Sequence, residues 1–122
     1  MGEAFAGAAC ALFTLLAEDL SAVRSDVEER VECEADALDT LLVAFLNELI
    51  FRWGSRRLVF GNFEVAVSPR ESGGFRCSAV ARGERLNGAR HVSTVEPKGA
   101  TFTELRVAED AAGWVAQCVV DV

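Results

Sequence analysis

The chain has 122 residues, of which 51% are hydrophobic and 25% charged, with only two prolines. That length supports one compact domain spanning residues 1–122, and that composition excludes global disorder. The net charge of −7 excludes a broad phosphate-backbone footprint, so nucleic acid is at most an indirect partner.

Residues 2–18 repeat apolar side chains at Phe5, Ala8, Ala9, Leu12, Phe13 and Leu16, a 3.6-residue period that predicts an amphipathic helix. Ser21 to Asp26 is a polar connection. Val27, Val31, Cys33 and Ala35 then alternate with Glu28, Arg30, Glu32 and Glu34, the pattern of a half-exposed strand. The acidic outer face of that strand discourages pairing with another molecule. Asp36 is positioned to cap a second helix running to about Trp53, with Gly54 as its stop. Leu38, Leu41, Leu42, Phe45, Leu46, Leu49, Ile50 and Trp53 give this helix so wide an apolar face that it should be the central packing element. Asn47 and Glu48 interrupt it and read as a polar edge or a satisfied local hydrogen bond. Arg52, Arg56 and Arg57 cluster at its C-terminal end, where the macrodipole favours cations, although they could also touch an acidic partner.

From residue 58 the texture changes to strands and tight turns. Leu58 to Val67 is a β-rich run with Gly61-Asn62 marking a bulge or bend. Glu71-Ser72-Gly73-Gly74 turns it back into Phe75 to Ala81, and Asn87-Gly88 marks another turn. Thr101 to Val107 and Trp114 to Val120 flank the turn Glu109 to Gly113 as a second hairpin. Two helices followed by mostly antiparallel strands predict an α+β domain, with the helices packed on one face of a sheet in two layers.

The charge is uneven. Residues 1–50 hold eleven acids against two arginines, and residues 51–122 hold eight acids against ten basic residues. Cys10, Cys33, Cys77 and Cys118 are too widely spaced for a C-x-x-C signature and lie among apolar neighbours, so they read as small buried thiols. His91 is the only histidine, which leaves a zinc site or a hydrolase dyad without partners. No apolar run reaches the ~20 residues of a bilayer helix and no secretory leader is apparent, so the expected location is cytoplasmic, away from membranes.

Two segments carry possible chemistry. Lys98, within Glu96-Pro97-Lys98-Gly99, is the only lysine among the basic residues. Its isolation reflects compositional bias or a position that needs a compact ammonium rather than a planar fork. The closing run Val119-Val120-Asp121-Val122 brings the Asp121 carboxylate close to an α-carboxylate on Val122. Such a pair either frays in solvent or, with further oxygens, coordinates a hard divalent cation.

Leu41-Leu42-Val43-Ala44-Phe45-Leu46-Asn47-Glu48-Leu49-Ile50 resembles the L-L-V-x-W-L-N-E-L-L helix of the archease family. Arg90-His91 followed by Glu96-Pro97-Lys98-Gly99-Ala100-Thr101-Phe102 is similar to that family's R-H…E-V-K-A-V-T-Y stretch. Trp114 through Asp121-Val122 is similar to its closing strand, and Glu3-Ala4-Phe5 to the start of its first helix. The resemblance implies a non-catalytic activator of an RtcB-type RNA-splicing ligase, promoting ligase guanylylation and turnover in tRNA splicing or RNA repair. It also implies a divalent cation, calcium foremost with magnesium or manganese as alternatives, held by Asp121 and Val122. Lys98 and Glu96 become the candidates for ligase activation. The family opens with a strand carrying a His-Thr-Ala-Asp ligand run, which this sequence lacks ahead of its first helix. Weak cation binding is therefore expected, and a protein-interaction module that has lost metal and ligase work is the alternative.

Overall fold

A computed structural model of the protein describes the backbone of residues 2–16, 23–85, 99–110 and 113–121, with side chains described within 2–13 and 23–85. The element order is α1 (Gly2–Leu16), β1 (Val27–Ala35), α2 (Leu38–Arg56), β2 (Leu58–Pro69), β3 (Phe75–Arg85), β4 (Gly99–Asp110) and β5 (Gly113–Asp121). The domain is α+β, and its strands are antiparallel throughout the described ladders. They form a three-stranded sheet in the order β1-β3-β2 and a two-stranded ladder of β4 and β5. α1 packs on β2 and reaches β5, while α2 packs on β1 and β4, so both helices touch both sets of strands.

α2 is the central element, as its pattern predicts. Leu41, Leu42, Val43, Phe45, Leu46, Leu49, Ile50 and Trp53 are all buried. Phe5 of α1 stacks on Phe45 of α2 with ring centroids 6.1 Å apart. Phe13 meets Phe60 edge-on at 5.6 Å and lies 5.7 Å from Phe63. Both β2 phenylalanines can face Phe13 only because the ladder slips between Phe60 and Asn62. In an unbroken strand, residues 60 and 63 would point to opposite faces. The extra residue, Gly61, resets the alternation, turns Asn62 to solvent and returns Phe63 to the core.

The ends of α2 differ from the sequence reading. The N-cap is Ala37, in extended conformation and without a side-chain cap, so Asp36 does not cap the helix. Asp39 Oδ1 instead accepts the Thr40 backbone N–H at 2.7 Å, and Thr40 Oγ1 donates to the Ala37 carbonyl at 3.0 Å. Gly54 lies inside the helix, which continues to Arg56 and stops at Arg57 in the left-handed region with φ 56°. The final turn is held from outside: Arg52 and Arg56 both donate to Glu29 Oε1 on β1.

The uneven charge of the chain is consumed in the three-stranded sheet. Arg82 on β3 pairs with Glu28 of β1 at 3.0 Å and with Glu64 of β2 at 3.1 Å. Glu34 of β1 receives Arg76 at 2.6 Å and Arg70 at 2.9 Å. The acidic first half thus lies against arginines of the second half. β1 is an edge strand with exposed Glu28, Arg30, Glu32 and Glu34, as its alternation implies.

Candidate functional site

β4 and β5 form a long antiparallel hairpin whose open end is defined by register. Gly99, the first residue of β4, stands opposite Asp121, the last residue of β5. Ala100 faces Val120 and Thr101 faces Val119, after which the register shifts before Arg106. The strand pair brings one sequence-predicted site residue, Asp121, across from the residue that follows Lys98 in sequence. Glu96, Lys98 and Val122 themselves lie outside the described residues, as do His91 and the Asn87-Gly88 turn. Long β-ladders fix such end-to-end relationships because each backbone pair constrains the next.

The candidate cation ligands have suitable chemistry. Carboxylate oxygens are hard donors that match calcium or magnesium, and calcium gathers six to eight oxygens. Asp121 and Val122 fall short of that number alone. Among the described residues no three His, Cys, Asp or Glu side chains converge into a metal-binding group.

A second polar centre surrounds the end of α2. Glu29 on β1 is 20% exposed and accepts from Arg52, itself 16% exposed, at 3.0 Å. Arg52 also binds Glu48 one turn earlier at 3.1 Å, so this polar edge of α2 is an ion-pair network. Glu29 sits on the inward-facing register of β1, which explains the partial burial of the cluster. The helix spacing of Glu48 and Arg52 was legible, but the pairing with Glu29 depends on the β1–α2 approach and was not.

Two further features escaped sequence reasoning. Glu84 is buried at 7% exposure and accepts the Arg24 backbone N–H at 3.2 Å. β3 runs four residues beyond the predicted Ala81, which carries Glu84 and Arg85 into the ladder beside Val59 and Leu58. Glycine inside a strand weakens its pattern, so the Ala81-Arg82-Gly83-Glu84-Arg85 run carries little strand signal of its own. Gly83 is instead required: a Cβ there would collide with the Val59 carbonyl.

The cysteines behave as small apolar residues. Cys77 is fully buried and Cys10 and Cys33 partly so, all as reduced thiols. Burial, and secondarily Cys33, pushes the Cys77 thiol up to about 12. A thiol so resistant to ionisation is a poor nucleophile, which agrees with a structural role. Cys118 lies outside the described side chains.

Comparison with known proteins agrees with this architecture. The family model described as Archease protein family (MTH1598/TM1083) matches residues 1–122. The Methanosarcina mazei protein archease is 33% identical over 120 residues, covering 98% of this chain and 82% of that protein. The Methanopyrus kandleri protein archease is 37% identical over 115 residues, covering 94% and 81% respectively. The solution structure of Methanobacterium thermoautotrophicum protein 1598 superposes with a TM-score of 0.84 at 27% identity, covering 99% of this chain and 84% of that one. A family-model match along the whole sequence, with relatives above 30% identity and a superposition at a TM-score of 0.84, leaves one conclusion: the chain belongs to the archease family.

Proposed function

We propose that the protein is a non-catalytic, cytoplasmic activator of an RtcB-type RNA-splicing ligase, promoting ligase guanylylation and turnover in tRNA splicing or RNA repair. Membership of the archease family over residues 1–122 carries this reading. The hairpin register supports it, because Asp121 and the Lys98 motif belong to one end of one ladder. Among the described residues no helix is long and apolar enough to cross a membrane.

Lys98 offers a compact, strongly hydrated ammonium that attracts phosphate or carboxylate groups on the partner. Glu96, two residues earlier in sequence, is the second activation candidate. Asp121 and Val122 would hold the divalent cation with oxygen donors. A cation bound there would supply a local positive charge. The chemical step belongs to the ligase, and the protein's own residues bind and orient.

The test mixes purified ligase, labelled GTP and catalytic amounts of this protein. Faster covalent labelling of the ligase, with more than one ligation per ligase molecule, is the expected result. Absence of acceleration at every ratio rejects the reading. Ligase binding without acceleration assigns the chain to the interaction-only alternative.

A further inference from the structure

The C-terminal end of α2 opens onto a cleft of about 580 Å³ formed with the start of β1, the start of β2 and the end of β3. Arg56, Arg57 and Arg85 line it with Ser55, over a floor that includes Val27 and Leu58. Glu29 is at one wall, but its carboxylate already receives Arg52 and Arg56. Arg57 and Arg85 are exposed, and among the described residues neither has an ion-pair partner. Leu58 and Arg85 are a register pair, so the second arginine is fixed to the residue that follows the first.

Arg57 occupies this position at a cost. It adopts φ 56°, ψ 47°, the left-handed conformation in which glycine ends helices without strain. The last carbonyls of α2 carry partial negative charge at this end, so the bare helix terminus repels an anion. The arginines reverse that sign. In a chain of net charge −7, two guanidinium groups without an ion-pair partner among the described residues, at one concave site, have the chemistry to receive an anion.

We propose that this cleft docks a carboxylate-bearing segment of a partner protein, with Arg57 and Arg85 gripping its acidic side chains. The inference goes beyond the ligase reading and does not depend on it. The acidic outer face of β1 and the overall charge oppose an extended polyanion such as RNA that runs beyond the cleft, whereas a short acidic segment meets only the arginines. Acidic peptide side chains bring carboxylates on methylene stems, which suit the aliphatic Val27 and Leu58 floor.

The probe is a hexaglutamate peptide, titrated at low salt while backbone amide resonances are followed, with hexauridylate in parallel. The expected result is saturable shifts at Leu58 and Arg85, weakened about tenfold in Arg57→Gly and in Arg85→Gln, and unchanged in Arg76→Gln. Arg57→Gly relieves the left-handed strain, so its melting temperature should hold or rise while binding falls. Equal binding by parent, Arg57→Gly and Arg85→Gln overturns the proposal, as does the absence of localised shifts. Tighter binding of hexauridylate at the same amides overturns it in favour of RNA.

Discussion

Cys33 of β1 and Cys77 of β3 stand directly opposite each other in the antiparallel ladder, on the face that meets α2. Cys33 adds to the cost of ionising Cys77. Burial dominates for both thiols; Glu48 adds to it at Cys33, where Arg52 acts in the other direction. The pair packs as two small hydrophobes between strand and helix.

Native Cys77 should therefore resist an aromatic disulfide reagent at pH 8 and react only on unfolding. Its thiol is raised from the ordinary value near 9 to about 12, so the protonated form is favoured by folding. That contribution is fully present below the unfolded value and is lost as pH rises toward 12. Rapid labelling of Cys77 in the folded protein would contradict its burial.

A pH dependence of opposite sign is expected at Glu34. Hydrogen bonds from Arg76 and then Arg70 hold its carboxyl below the usual 4.5. A lowered carboxylate stabilises the fold above the unfolded value and loses that effect as pH falls through the folded one. Glu34→Gln should lower the melting temperature at pH 7 by a small margin, since exposed pairs contribute little. The margin should narrow once the pH falls below 4.5 and close as it passes through the lowered folded value, and a gap that stays constant as the carboxyl is titrated would exclude the ion pair as its cause.

Packing predictions centre on α2 and the bulge. Leu46 is 2% exposed, and Leu46→Ala should cost roughly 2–5 kcal/mol in denaturant unfolding. Gly83→Ala should cost about 1–3 kcal/mol by forcing β2 and β3 apart, because its methyl group meets the Val59 carbonyl. A loss below about 0.5 kcal/mol in Leu46→Ala would mean that α2 is peripheral.

The core of this fold was legible because burial acts through spacing. Every apolar residue singled out from Leu41 to Trp53 is buried, and Gly61 is the residue at which the β2 register slips. The ends of α2 were not legible, because remote groups decide them. Gly54 has the intrinsic preference to stop a helix, yet two arginines bound to Glu29, over twenty residues earlier, carry the helix past it. The same long-range pairing hid the cleft, since Arg85 joins Arg57 only through the β2–β3 ladder. The hairpin end was half legible: the motifs around Lys98 and Asp121 are local, but their shared ladder end is a property of register.

The two ends of that hairpin motif should separate by mutation. Asp121→Asn removes an anionic oxygen donor from the proposed cation site, and neutral amides bind calcium less well than carboxylates. The parent is expected to bind calcium with a dissociation constant on the order of millimolar, the weak end for oxygen sites, and Asp121→Asn more weakly still. Lys98→Ala acts in the opposite sense, because deleting a nearby positive charge leaves cation binding equal or tighter. Its loss should instead appear in the ligase assay, as abolished acceleration of guanylylation at an unchanged melting temperature. Calorimetry with calcium and the GTP-labelling assay, run on the same three proteins, read these effects independently. Equal calcium binding by parent and Asp121→Asn removes the metal site, while full acceleration by Lys98→Ala removes the lysine from the mechanism. If both variants instead lose stability together, the hairpin end is a structural ion-pair site, and the activating surface must be sought elsewhere on the domain.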